Sequence, residues 1–179
     1  MTTKTALPLA EVYALLEPGP VLLLSTAQRK RRNVMTMSWH TMLEFEPPLV
    51  GCVVAPGGLS QRLLRASGEC VLNIPTETIA DKVVGCGNTH GSELDKFAHF
   101  ALATSPAQQV AAPLLDECYA SLECKLVDAD GALKYGFFVL EVVAAWADPA
   151  VKNPRTLHHR GWGAFMVAGR TIRLASKMR

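Results

Sequence analysis

Hydrogen-bonding side chains are concentrated in residues 33–39, which have the sequence Asn-Val-Met-Thr-Met-Ser-Trp. Polar and apolar positions are interleaved there, as in a strand with one dry face and one polar face. Thr36 and Ser38 share one face of such a strand, whereas Met35, Met37 and Trp39 share the other. The amide, hydroxyl and indole donors are suited to the edge of a planar heteroaromatic ring such as a flavin. The alternative is an ordinary strand whose polar face meets water.

Ser60 and Lys96 are the candidates for a phosphate site. Ser60 stands at the start of a predicted helix, where free backbone amides and the helix dipole favour an anion. Lys96 supplies a compact positive charge. The alternative for Lys96 is a surface ion pair with Asp95 or Glu93.

Catalytic chemistry carried by the protein's own side chains is not indicated. His158 and His159 face different ways in regular structure, and neither they nor His90 and His99 have a cysteine or carboxylate at metal-ligand spacing. Cys86 lies between two glycines without an identifiable base, which favours a structural thiol over a reactive one. The sequence contains no Ser-His-Asp constellation, nucleophile elbow, P-loop or conspicuous carboxylate pair. If the protein is an enzyme, a bound cofactor therefore carries the reaction.

The composition is that of a folded domain with a substantial core. Of the 179 residues, 49% are hydrophobic and 19% are charged, which excludes a disordered chain. The net charge of +2 is too small to indicate nucleic acid. Five cysteines without Cys-x-x-Cys spacing suit a reducing compartment. The first residues lack the features of a signal peptide and no apolar run approaches the ~20 residues of a membrane span, so we expect a cytoplasmic protein.

The elements that must position these residues are mostly short strands. Strands are predicted over residues 21–26, 33–39, 49–54, 70–75, 119–127 and 135–146, with a closing hairpin over 162–167 and 171–174. Helices are predicted over 9–16, 61–66 and 76–84, with Ser60 as the cap of the second. A flexible glycine-rich loop over 85–92 and a short helical turn over 95–97, capped by Ser92, are expected next. Six or seven closely spaced strands favour a closed β-barrel with peripheral helices, in a single domain over residues 1–179.

Several short motifs resemble those of the flavin reductase-like family, in the same order and at compatible spacing. They are the segment 33–39, then Pro47-Pro48 and Ser60, then Asn73-Ile74-Pro75 at a strand end, and Asp95-Lys96-Phe97. The resemblance extends from Pro18 to Gly169. Within the family, the sequence is most similar in appearance to the branch that contains flavoredoxin and archaeal ferric reductase.

This resemblance implies a mainly β fold, a split β-barrel with a few peripheral helices that binds FMN. It also implies a homodimer with FMN near the subunit interface. The implied activity is that of an oxidoreductase passing electrons from NADH or NADPH through FMN to free flavin, ferric complexes, a partner monooxygenase or a redox protein. The alternative is an electron-transfer flavoprotein, or a flavin-binding module, without NAD(P)H activity of its own.

The resemblance also assigns residues to the FMN site. Lys96 would bind the phosphate, residues 35–38 would line the isoalloxazine ring partly through backbone groups, and Tyr135 or Trp162 would close the pocket. The full set is Asn33, Val34, Met35, Thr36, Met37, Ser38, Trp39, Ser60, Gln61, Lys96, Tyr135 and Trp162.

The sequence departs from the family's pattern at residues 29–32. These residues are Arg-Lys-Arg-Arg, whereas such proteins often have a glycine in this turn. A basic run this short is typical of a solvated turn. Arg31 and Arg32 are alternatively candidates for a phosphate contact, or the run recruits an acidic partner.

Overall fold

The computed structural model describes residues 3–177 and is mainly β, with short helices around one large sheet. The strands are β1 (Thr5–Ala6), β2 (Leu22–Gln28), β3 (Arg31–Met37), β4 (His40–Phe45), β5 (Pro48–Val53), β6 (Glu69–Ile74), β7 (Thr104–Ser105), β8 (Leu114–Leu115), β9 (Ala120–Asp128), β10 (Phe137–Ala147), β11 (Leu157–Gly161) and β12 (Ala164–Val167). The helices are α1 (Tyr13–Leu16), α2 (Leu59–Ser67), α3 (Ala80–Asn88), α4 (Lys96–His99) and α5 (Ala132–Tyr135), with 3-10 turns at Leu9–Glu11 and Glu77–Ile79. Across residues 3–177, no helix has the length and apolar character needed to cross a membrane.

The main sheet is antiparallel and runs in the order β3-β2-β6-β9-β10-β5-β4, with β1 also paired to β10. Its edge strands, β3 and β4, are consecutive in the chain and are joined by Ser38 and Trp39 alone. A link this short cannot span an open sheet, so the sheet curls until its two edges meet. Within the described residues β3 and β4 are not paired, and the barrel is therefore split along this seam. The split barrel is confirmed, whereas a fully closed barrel is wrong.

Two apolar layers cover the two faces of β2. Leu22 and Leu24 pack inside the barrel, whereas Leu23 packs outside it with Val34 of β3. The unbroken apolar run in this strand predicted such double burial. The outer layer also contains side chains from α3, α4 and β11, among them Val83, Phe97 and Leu157. These elements are therefore held against the pair of strands that carries residues 33–37.

The glycine-rich segment predicted to be a flexible loop is helical over its first half. α3 continues through Asn88, and a Cβ atom at Gly85 would lie 2.4 Å from the ring of Phe100. A Cβ at Gly87 would lie 3.4 Å from the side chain of Thr36. The two glycines thus allow α3 to pack closely on β3 and on Phe100, which outweighs their low helix propensity.

Both predicted caps of the short helices are wrong by a few residues. α2 is capped by Gly58, so Ser60 lies inside the first helical turn. α4 is capped by Asp95 in place of Ser92, and the Asp95 carboxylate accepts a hydrogen bond of 2.9 Å from the amide of Phe97. An ionised carboxylate accepts hydrogen bonds from the free amides more strongly than a hydroxyl does. This explains why α4 begins after Asp95 and not after Ser92.

The C-terminal hairpin lies earlier in the chain than predicted. β11 and β12 pair across a turn at Trp162 and Gly163, and residues 171–174 form no strand. Gly161, Trp162 and Gly163 have φ angles of 92°, 52° and 76°, which allow the chain to reverse within this turn. Tyr135, predicted to begin a strand, is the last residue of α5.

Candidate functional site

A cavity of about 180 Å³ lies where β3 meets the start of α2, the end of α3 and the start of α4. The predicted site residues that line it are Asn33, Met35, Thr36, Ser60, Gln61 and Lys96. The rest of its wall consists of Val54, Ala55, Gly58, Leu59, Cys86, Gly87, Thr89, His90 and Gly91. The fold thus brings three motifs that are distant in sequence to one cavity.

Asn33 links β3 to α2 beside this cavity. Its Nδ2 atom donates a hydrogen bond of 2.9 Å to the hydroxyl of Ser60, and both side chains are buried. Gly91 approaches from the opposite side so closely that a Cβ atom there would lie 1.9 Å from Asn33 Oδ1. The glycine is therefore required for the position that Asn33 occupies.

Lys96 contributes a buried positive charge to the cavity wall. Its side chain is 4% exposed, and its Nζ atom donates a hydrogen bond of 2.6 Å to the carbonyl oxygen of Cys86. Burial lowers the pKa of the Lys96 ammonium below its usual value. The alternative, a surface ion pair of Lys96 with Asp95 or Glu93, is not formed within the described residues, and the Asp95 carboxylate instead caps α4. A buried ammonium beside a cavity is suited to an anionic ligand.

The first turn of α2 adds further hydrogen-bond donors on the same side of the cavity. Gly58 provides no side-chain cap, and the first intrahelical bond recorded at this end is donated by Arg62 N to Gly58 O at 3.2 Å. The preceding amides therefore have no acceptor in their own helix, which favours an anion. Gln61 is held on both sides, since its Oε1 accepts from Gly57 N at 3.0 Å and its Nε2 donates to Ala132 O at 3.2 Å.

The alternative phosphate ligands, Arg31 and Arg32, lie outside the 180 Å³ cavity. Both line a neighbouring cavity of about 380 Å³. The guanidinium of Arg32 lies 4.2 Å from the ring centroid of Phe97, which is a cation–π contact. The geometry favours Lys96 over either arginine as the cation for an anion in the smaller cavity.

A second cavity, of about 370 Å³, extends the first along β3. The two share Thr36 and Gly87, and the second also contains Ser38, which directly follows β3, and Phe165 from β12. The Thr36 hydroxyl donates a hydrogen bond of 2.5 Å to Val83 O, which fixes this strand against α3. The two cavities together form a groove that follows β3 from its charged end towards the seam of the barrel.

Five predicted site residues do not line either cavity. The side chains of Val34 and Met37 are buried in the outer and inner apolar layers. Trp39, Tyr135 and Trp162 are exposed to 73%, 63% and 106% in the single chain. In the single chain neither Met37 nor Trp39 forms a wall of the groove, because one side chain belongs to the core and the other to the surface.

Residues of α3, the following loop and the C-terminal hairpin line the two cavities but were not predicted from the sequence to do so. Cys86, Gly87 and Gly91 were assigned to a flexible loop, yet they line the 180 Å³ cavity. Their only signal was the cluster of small residues, which is common in loops that do not bind a ligand. The thiol of Cys86 is buried, and burial raises its pKa to about 11, consistent with a structural role.

The Asn73-Ile74-Pro75 motif stabilises the barrel and does not line the cavities. Asn73 is fully buried, and its Nδ2 donates to Leu23 O at 3.1 Å while its Oδ1 accepts from Leu115 N at 2.9 Å. Oδ1 also accepts from the hydroxyl of Ser121 at 2.8 Å. One amide thus connects β2, β6, β8 and β9.

Comparison with known proteins agrees with this architecture. Residues 15–164 match the model of the flavin reductase like domain. The chain is 31% identical over 172 residues to the uncharacterized protein YddH of Escherichia coli K12, covering 88% of this chain and 91% of that protein.

Two solved structures show the same fold. An FMN-binding domain of a flavin reductases-like enzyme from Shewanella baltica has a TM-score of 0.91 at 27% identity and covers 96% of this chain and 97% of its own. The flavoredoxin of Desulfovibrio vulgaris has a TM-score of 0.79 at 20% identity and covers 89% and 91%. Because the family model matches most of the chain, this protein belongs to the flavin reductase-like domain family.

Proposed function

We propose that the protein binds FMN and is an oxidoreductase that passes electrons from NADH or NADPH through FMN to free flavin, ferric complexes or a partner protein. The observation that carries this proposal is Lys96, a buried cation with no carboxylate partner among residues 3–177, set beside the uncapped start of α2. The family membership and the FMN-binding relative from Shewanella baltica support a flavin as the ligand.

Each part of the groove suits one part of FMN. Lys96 and the first amides of α2 would hold the phosphate, and Asn33, Ser60 and Gln61 would bind the polar chain next to it. The wider part of the groove, with Met35, Thr36 and Ser38, would take the ring. Val34 and Met37 could contribute backbone groups alone, because their side chains are buried in the two apolar layers.

FMN, when bound, supplies the redox chemistry by accepting a hydride from a nicotinamide and passing electrons to an acceptor. The protein's part is to bind and orient the ring and to exclude water from one side of it. No side chain is assigned as a general acid or base, because hydride and electron transfer through a bound flavin require none from the protein.

The second part of the proposal is a homodimer. Trp39, Tyr135 and Trp162 are large aromatic side chains left exposed by the single chain, and Trp162 protrudes from the β11–β12 turn. Exposed aromatic residues are enriched at protein interfaces. A second copy of the chain that packs on these residues would place the aromatic side chains of one protomer near the groove of its partner. This would account for their place in the family's site. Light scattering of the purified protein tests this, and a monomer at micromolar concentration would contradict it.

Absorption spectroscopy tests the main proposal. The purified protein, supplied with FMN and freed of excess ligand, is expected to keep the flavin absorption bands. Anaerobic mixing with NADH or NADPH should then bleach them rapidly. Retained flavin that neither nicotinamide bleaches would support the electron-transfer flavoprotein or flavin-binding module, and loss of all flavin would refute the proposal.

A further inference from the structure

The basic run at residues 29–32 lies in a concave surface next to the proposed FMN site. The tip of the β2–β3 hairpin lies against α2, where Gln28 Nε2 donates to Ala66 O at 3.2 Å. Between them is a cavity of about 430 Å³ whose wall includes four cationic side chains, and the described residues that line it include no carboxylate. These four residues form a basic collar, which consists of Arg29, Lys30, Arg31 and Arg62.

The collar is short of negative partners. Within residues 3–177 none of its members forms an ion pair, although the chain has 16 acidic residues. Arg62 donates a hydrogen bond of 2.8 Å to Gly57 O, and the other three are exposed. Arg29 has a φ of 54°, a conformation that is unfavourable for a side chain larger than that of glycine. Four like charges around one hollow repel one another, so an anionic ligand would relieve the repulsion.

The collar is continuous with the proposed FMN site. Leu59 lines both the 430 Å³ cavity and the 180 Å³ cavity. Along β3, the five residue steps from Arg31 to Thr36, in the wide part of the groove, correspond to about 17 Å at the usual rise of a strand. An extended dinucleotide covers a distance of this order. Its nicotinamide can therefore lie over the ring end of the groove while its adenosine end reaches the collar.

The charge of the collar discriminates between the adenine nucleotides that could reach it. FMN and FAD carry similar negative charge, because joining AMP to FMN converts a terminal phosphate into a diphosphate ester, so FAD would bring little new charge to the collar. NADPH differs from NADH by a 2′-phosphate, which adds about −1.5 to −2 charge at neutral pH. Arginine is the residue that commonly accommodates this group.

We propose that the basic collar binds the 2′-phosphate of NADPH and makes the protein select NADPH over NADH. This inference rests on the proposed function, because the nicotinamide must reach a flavin in the groove. Lys30 and Arg31 are the members to test: both line the 430 Å³ cavity, and neither has a carboxylate partner among residues 3–177, although both also line the 380 Å³ cavity. The 380 Å³ cavity is also lined by Glu93 and Asp95, which would repel a phosphate. The 2′-phosphate is therefore placed in the 430 Å³ cavity, whose described lining has no carboxylate.

The kinetic test compares the wild type with the double variant Lys30→Gln/Arg31→Gln, both loaded with FMN. We expect the wild type to have a higher kcat/KM with NADPH than with NADH. The double variant should lose about tenfold to a hundredfold in kcat/KM with NADPH, the range for one or two charged hydrogen bonds, and much less with NADH. Added salt should reduce the preference in the wild type. Lys152→Gln, which removes an exposed charge from a loop, is the control and should retain the wild-type preference.

A binding test separates this proposal from the proposed function. Calorimetric titration of the FMN-loaded protein with 2′,5′-ADP and with 5′-AMP does not depend on hydride transfer. We expect 2′,5′-ADP to bind more tightly than 5′-AMP, and the double variant to lose that difference. Equal binding of the two nucleotides, absence of 2′,5′-ADP binding, or an effect of the variant on FAD affinity without an effect on 2′,5′-ADP would overturn the proposal. If neither nicotinamide reduces the flavin but 2′,5′-ADP binds as expected, the collar site stands and the reductase activity does not.

Discussion

Asn33 Nδ2 donates a hydrogen bond of 2.9 Å to Ser60 Oγ, and this bond joins the strand and the helix that form the two sides of the proposed FMN site. The pair is buried at 5% and 2% exposure, so its geometry is set by packing as well as by the bond itself. Two residues that are 27 positions apart in the sequence thus depend on each other for their place at the cavity.

Replacing Gly91 with alanine tests this arrangement. The new Cβ atom would overlap Asn33 Oδ1, and Asn33 cannot move away without losing its bond to Ser60. We expect Gly91→Ala to weaken FMN binding by about tenfold, the effect of one lost buried hydrogen bond. Fluorescence titration with FMN measures it. Gly169→Ala is the matched control, since a Cβ there meets no atom within 4 Å, and an equal loss in both variants would contradict the explanation.

Removing the charge of Lys96 tests the phosphate assignment. Lys96→Met keeps most of the side-chain volume but cannot bind a phosphate. We expect the free energy of FMN binding to weaken by about 1.5 to 3 kcal/mol, the range for a hydrogen bond to a charged group. Riboflavin, which lacks the phosphate, should bind the wild type and the variant alike. Lys125→Met, on the exposed surface of β9, serves as the control. An FMN affinity unchanged in Lys96→Met would show that the phosphate lies elsewhere.

Replacing Asn73 is expected to lower the stability of the fold without weakening the binding of FMN. Asn73→Ala leaves the amide of Leu115 and the hydroxyl of Ser121 without their buried acceptor. We expect the free energy of unfolding to fall by about 2 to 3 kcal/mol in urea denaturation. Asn153→Ala, in an exposed loop, should change it little. If the folded Asn73→Ala variant bound FMN markedly less tightly, the motif would belong to the site after all.

His40 makes the stability of the protein depend on pH. Burial lowers the pKa of its ring below the ordinary value of 6.5, and its Nε2 atom donates to Pro20 O at 2.7 Å. Below pH 6.5 the unfolded chain takes up a proton that the folded chain still excludes, so the unfolded state binds more protons in this window. The free energy of unfolding is therefore expected to decrease as the pH falls from 6.5 towards the lower pKa of the folded state.

Chemical denaturation at a series of pH values between about 5 and 7 measures this dependence. His40→Gln retains a side-chain amide donor but cannot titrate, and its curve should be flatter than that of the wild type. His99→Gln, which replaces an exposed ring on α4, is the control and should follow the wild type. Identical slopes for His40→Gln and the wild type would exclude His40 as the cause.

The fold and three parts of the site could be predicted because they depend on local patterns. The apolar run of β2 and the alternation in β9 predicted both strands to within two residues of their ends. The half-burial expected for β9 is wrong over Ala120–Cys124, where both faces of the strand are buried. The motifs containing Asn33, Ser60 and Lys96 indicated residues that line one cavity. Tertiary contacts decided the rest, since the packing of Gly85 against Phe100 turns a segment with loop composition into the end of a helix.

By itself, the sequence determined the alternation of strands and the positions of the polar motifs, because these depend on the spacing of residue types along one chain. The tertiary structure decided which polar residues face a ligand. Asn33 and Asn73 are both buried asparagines on strands, yet one lines the cavity and the other connects four strands. The difference arises from what packs on each strand: α2 and α3 lie against β3, whereas β8 covers Asn73 on β6. Composition and spacing cannot distinguish two amides whose neighbours come from distant parts of the chain.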